Sequence, residues 1–93
     1  MEREKIITLI SEDMKHNSLI NGLYGIGLTD NDNYLLKIDL IVADMMGVSP
    51  IPDAWLELYQ KTMLNIPHSL TQEQAYIGAV NLFDALTDVL VKC

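Results

Sequence analysis

Apolar residues recur at intervals of three and four along most of the chain, and the strict alternation typical of strands is missing. Ile6, Ile10 and Met14, for example, share one face of a first helix. The pattern predicts an all-α fold, a compact bundle of four or five short helices in a single domain over residues 1–93. The predicted helices span about 2–15, 18–27, 33–46, 52–64 and 72–91.

Local signals mark the predicted helix ends. After the first helix, Asn17 or Ser18 is suited to cap the second, because their side-chain oxygens can accept a hydrogen bond from a free backbone N–H. Gly47 is suited to end the third helix in a left-handed conformation. Thr71 and Gln74 have the spacing of a capping box at the start of the last helix.

Two predicted helices carry more apolar residues than one core face requires. The last helix is apolar over most of its circumference between residues 75 and 90, which indicates contact with several helices or with a second chain. The third helix has a broad apolar face formed by Tyr34, Leu35, Ile38, Ile41, Val42, Met45 and Met46. A second stripe, about 180° away, predicts an interface with another chain and consists of Leu36, Leu40 and Ala43.

Composition and charge narrow the class of function. Hydrophobic residues make up 49% of the chain, which argues against disorder. Six basic residues against 13 acidic ones give a net charge of −7, which disfavours binding to nucleic acid or to an anionic membrane surface. No apolar run reaches the ~20 residues of a spanning helix, and the single cysteine, Cys93, cannot form an internal disulfide. We therefore expect a cytoplasmic protein.

The sequence predicts no metal, no cofactor and no catalysis. His16 and His68 lie far apart in the chain without a second ligand at helical spacing, whereas zinc sites need three or four ligands. The segment after Asp30 lacks the glycine and the glutamate of an EF-hand calcium loop. Asp39 is the one charged residue with apolar neighbours on its helix, so burial would raise its pKa, but a single carboxylate is not an active site.

Protein–protein interaction is the function that these patterns favour, with self-association into a homodimer as its first form. Two alternatives stay open. The first is an inhibitor or immunity-type protein that presents an acidic face to a basic partner, since complementary charge accelerates encounter. Its candidate residues are Asp30, Asp32, Asp39, Asp44 and Asp53. The second is a small-ligand binder with an aromatic pocket lined by Tyr24, Tyr34, Trp55 and Tyr59.

Overall fold

A computed structural model describes residues 2–24 and 32–92, without the side chains of residues 20–24 and 32–37. The described parts contain helices and no strand, with a Cα radius of gyration of 12.4 Å. The predicted all-α bundle is therefore confirmed. Its helices are α1 (Arg3–Tyr24), α2 (Asp32–Met45), α3 (Asp53–Leu64) and α4 (Gln72–Lys92).

Helices α1 and α3 form the centre of the bundle, since each of them contacts the three other helices. Among the described residues, α2 and α4 contact this central pair but not each other. The broad apolar face of α4 is divided accordingly between α1 and α3. Its buried residues are Ala75, Ala79, Leu82, Phe83 and Leu86.

One long helix replaces the first two predicted helices, so the predicted break near residue 16 is wrong. The residues chosen as caps are engaged elsewhere. The side-chain amide of Asn17 donates to the carbonyl oxygen of Asp13, one turn earlier, at 2.8 Å. The Ser18 hydroxyl donates to the carbonyl oxygen of Pro67 at 2.8 Å and accepts from the N–H of Leu70 at 3.0 Å. Because both side chains serve buried contacts, the backbone continues as a helix.

Helix ends that depend on local chemistry occur where the sequence places them. After α2, Gly47 adopts a φ of 72°, and the N–H groups of Gly47 and Val48 donate to the carbonyls of Asp44 and Ala43. This pair of bonds is a Schellman motif, in which the left-handed residue is best supplied by glycine.

The predicted capping box is present at the start of α4. The Thr71 N–H donates to Oε1 of Gln74 at 2.9 Å, and the Gln74 N–H donates to Oγ1 of Thr71 at 3.1 Å. The two residues thereby satisfy each other's backbone donors at the end of a helix that would otherwise leave them free.

Small residues allow α1 and α4 to approach closely. Ala75 and Ala79 are fully buried on α4, and Gly78 lies between them in sequence. A Cβ atom at Gly78 would lie 3.0 Å from the sulfur of Met14 on α1. The α1–α4 contact therefore depends on side-chain volume as well as on hydrophobicity.

Replacing Leu86 by aspartate is expected to unfold the chain. Leu86 is completely buried at the α4 side of the core, and an unpaired carboxylate there loses its hydration as well as the leucine contacts, a cost of about 4 kcal/mol or more. Val91→Asp is the matched control, because Val91 lies on the same helix and is 79% exposed. Far-UV circular dichroism checks both variants; a folded Leu86→Asp protein would contradict this account of the core.

Replacing Ser18 by alanine is expected to lower the free energy of unfolding by about 1–2 kcal/mol, since two backbone groups of the α3–α4 connection lose their partner. Thr8→Ala serves as control, because Thr8 is exposed on the same helix. Urea denaturation measures the two changes. Equal effects of the two substitutions would show that the Ser18 contacts do not stabilise the connection.

Candidate functional site

Helix α2 turns a mixed apolar and polar face toward the core. Asp39, Val42 and Ala43 are all buried on this face. Two expectations are thereby corrected: Ala43 is a core residue and not part of an interface, and Asp39 is not part of an acidic surface. The hydrogen bond from Nε2 of Gln60 on α3 to Oδ2 of Asp39, 3.0 Å long, helps to hold the helix in this orientation. The core-facing direction therefore lies between the two apolar stripes predicted for α2.

The opposite face of α2 exposes two adjacent apolar side chains. Leu40 is 50% and Ile41 is 46% exposed, and the exposed Asp44 follows one turn later. Position 37 lies one turn earlier, so residues 37, 40, 41 and 44 have the i, i+3, i+4, i+7 spacing of one helix face. We call this face the α2 stripe. Leu36, the remaining member of the predicted interface, lies outside the described side chains.

Ile41 belongs to the broad apolar face predicted for α2, yet it is 46% exposed in the fold. A signal for the correct face is present in the sequence. Lys37 and Asp44 are charged and seven residues apart, which is the spacing of a solvent-facing stripe, and Leu40 and Ile41 lie between them on the same face.

A shallow groove adjoins the α2 stripe. Met45 lies one helical turn after Ile41 and lines the groove together with Leu9 of α1. Glu4 and Glu12 line the α1 side of the same groove. Partly exposed apolar residues thus continue from α2 toward α1, where Lys5 and Thr8 line the groove together with the two carboxylates.

Burial removes one of the five residues from the predicted acidic face. Asp44 and Asp53 are exposed, whereas Asp39 is fully buried. Asp30 lies outside the described residues, and the side chain of Asp32, at the start of α2, is also outside the description. Among the described side chains, the five-residue acidic face is therefore reduced to two carboxylates.

The two described aromatic residues of the predicted pocket lie inside the core. Trp55 and Tyr59 are fully buried on α3, with ring centroids 5.9 Å apart and planes 13° from parallel. A ring in this position stabilises the bundle by its buried area and stacking. Tyr24 and Tyr34 lie outside the described side chains. The buried rings give no support to a ligand pocket.

A buried polar contact joins the two central helices. The Tyr59 hydroxyl donates to Oδ2 of Asp13 at 2.6 Å, and the Asn17 amide donates to Oδ1 of the same carboxylate at 2.9 Å. Asp13 and Asn17 are each 1% exposed. Such a satisfied network fixes the rotation of α1 against α3, because turning either helix would leave polar atoms without partners.

Asp39 is less completely satisfied than Asp13. Its Oδ1 atom, like Nε1 of Trp55, is buried without a hydrogen-bond partner among the described residues. Burial raises the pKa of the Asp39 carboxyl, and the hydrogen bond from Gln60 opposes this shift in part. Among the described residues, no hydrogen bond links the Asp39 carboxyl to an acidic, basic or nucleophilic side chain. Asp39 therefore does not belong to an acid–base pair in this part of the chain.

Neither a metal cluster nor a membrane span is found within the described residues. They contain no group of three or more His, Cys, Asp or Glu side chains arranged to hold a metal ion. None of the described helices combines the length and the apolar character needed to cross a bilayer. Comparison with protein-family models, curated proteins and solved structures finds no match to this chain. The half-exposed pair Leu40 and Ile41 makes the α2 stripe the candidate site.

The substitution Asp39→Asn is expected to stabilise the protein relative to the parent chain, and increasingly so as the pH rises above about 4. The folded state holds the Asp39 proton more tightly than the unfolded state, whose carboxyl titrates near pH 3.9. Stability from Asp39 is thus present at low pH and is lost as the pH rises through the folded-state pKa. Asparagine keeps an acceptor for Gln60 and does not ionise.

Urea denaturation at several pH values measures this effect as the difference in unfolding free energy between Asp39→Asn and the parent chain. The control is Asp44→Asn, since Asp44 is exposed one helical turn after Leu40. A pH-independent difference for Asp39→Asn would contradict the raised pKa.

Proposed function

We propose that the protein acts through protein–protein association at the α2 stripe, without a catalytic step of its own. The observation that carries the proposal is the half-exposed pair Leu40 and Ile41 on a helix whose opposite face is anchored in the core. Removing such side chains from water on binding contributes favourable free energy at about 25 cal/mol for each Å² of apolar surface.

Other exposed apolar residues make weaker candidates for a binding surface. Ile77 on α4 is 53% exposed, but Glu73, Asn81 and Asp84 occupy the neighbouring turns of the same face and are exposed as well. The nearby Tyr76 donates its hydroxyl proton to Oε2 of Glu4 at 3.3 Å. The exposed Tyr76 and Ile77 are thus interrupted by polar neighbours on their own helix, and the Tyr76 hydroxyl is already bonded within the chain.

We propose self-association as the form of this interaction and the cytoplasm as the location of the protein. The single cysteine in the sequence supports a reducing compartment. Because the α2 stripe has two apolar side chains at its centre, its area falls at the small end of specific interfaces. We therefore expect a reversible dimer that forms at high micromolar concentration.

Replacing Leu40 by aspartate is expected to leave a folded monomer. The new carboxylate stays hydrated in the free chain because position 40 is half exposed, whereas dimer formation would bury it. Sedimentation velocity over a concentration series, in reducing buffer, measures association, and circular dichroism confirms the fold.

The control for this prediction is Ile77→Asp, which places the same charge at a position of similar exposure on α4. Equal loss of association in both variants would point to a general effect of added negative charge. A parent chain that stays monomeric throughout the concentration series would refute self-association.

A further inference from the structure

We infer that the α2 stripe binds the α2 stripe of a second copy in antiparallel orientation, with the two-fold axis passing between Leu40 and Ile41. This inference rests on the proposed function and adds the partner and the register. Its basis is the order of residues along α2 in the sequence, a lysine and an aspartate flanking two apolar residues at the spacing of one helix face. A two-fold interface uses the same patch on both copies, so the patch must be complementary to itself.

The register follows from the residue numbers. When two identical helices pack antiparallel about a point midway between residues 40 and 41, position 40 of one copy lies opposite position 41 of the other. The same symmetry places position 37 opposite position 44, and it does so twice. Each lysine charge of the stripe therefore meets an aspartate charge of the second copy.

Parallel packing gives the opposite result. In a parallel pair, each position lies opposite itself, so Lys37 would face lysine and Asp44 would face aspartate. Like charges placed directly across an interface disfavour association. The charge order of the stripe thus selects the antiparallel pair among the two ways of packing one α2 helix against another.

The apolar centre fits this arrangement. Leu40 and Ile41 point away from the bundle, while Asp39, Val42 and Ala43 face inward. The Leu40 and Ile41 side chains of the two copies would cover one another around the two-fold axis, and the charged pairs would lie at the rim, where complementary charges give specificity more than affinity. Burial of four half-exposed aliphatic side chains supplies the attraction.

The net charge of the chain allows a test in which general charge repulsion and the antiparallel register predict opposite results. The chain carries a net charge of −7, so two copies repel each other in general. Replacing Asp44 by lysine makes each copy less negative, which would strengthen an association limited by this repulsion. The antiparallel register predicts the reverse, because the new lysine meets Lys37 of the second copy at both ends of the interface.

The experiment compares dimer dissociation constants by sedimentation equilibrium in reducing buffer at low salt. We expect Asp44→Lys and Lys37→Asp each to weaken the dimer by about tenfold, since each exchanges two attractive pairs for two repulsive ones. The double variant Lys37→Asp/Asp44→Lys is expected to dimerise like the parent chain. An equimolar mixture of the two single variants is also expected to associate like the parent chain, because each lysine then meets an aspartate.

Asp84→Lys is the control for net charge, because Asp84 is exposed on α4 and the substitution makes the same charge change. It is expected to leave the dimer unchanged or to strengthen it slightly. Circular dichroism of every variant confirms that it is folded, and Asp44→Lys carries the test if Lys37→Asp does not fold.

Three results would overturn the inference. A dimer that Leu40→Asp disrupts but Asp44→Lys does not weaken would reject the register and leave the proposed function intact. A mixture of single variants that associates more tightly than the parent chain would indicate parallel packing. A monomeric parent chain would refute self-association and the register together.

Discussion

The hydrogen bond between the Tyr59 hydroxyl and the Asp13 carboxylate fixes the frame on which the other contacts depend. It joins the two central helices inside the core, at 2.6 Å, and Asn17 donates a further hydrogen bond to the carboxylate from the next turn of α1. Buried polar groups cost free energy when their partners are lost, so the network tolerates one relative rotation of α1 and α3. The apolar contacts around it, including the stacked Trp55, then add stability to an arrangement that the polar atoms already specify.

The same frame explains why α1 is a long helix with weak amphipathic character. Two side chains of its second half contact the α3–α4 connection: the buried Ser18 hydroxyl binds it at Pro67 and Leu70, and the exposed Lys15 ammonium donates to the Leu70 carbonyl at 2.9 Å. With this connection held against α1, α4 begins next to the helix against which it packs. The close approach at Gly78 and Met14 then completes the contact.

Helix ends were predictable wherever a few neighbouring residues determine them. Gly47 and the Thr71–Gln74 pair act on backbone groups within one turn, so their sequence signals correspond to the observed bonds. Long-range partners could not be predicted in the same way. Ser18 has the same hydroxyl whether it caps a helix or bonds a distant loop, and only the fold brings Pro67 and Leu70 to it. The local signal at Ser18 therefore predicts a break in α1 that the fold does not have.

The rotation of α2 shows the same limit and bears directly on function. Hydrophobicity alone grouped Ile41 with the broad apolar face and placed Ala43 in an interface, whereas in the fold Ile41 is half exposed and Ala43 is buried on the same face as Asp39, which accepts a hydrogen bond from Gln60 on α3. The inner face of α2 thus includes a carboxylate beside apolar residues, which hydrophobicity alone does not predict. Because Val42 and Ala43 flank Asp39 on the inner face, Leu40 and Ile41 are left outside as a pair. The exposed apolar pair is thus the outer face of a helix whose inner face packs in the core. A partner that binds the pair would contact a surface that the core packing of α2 has determined.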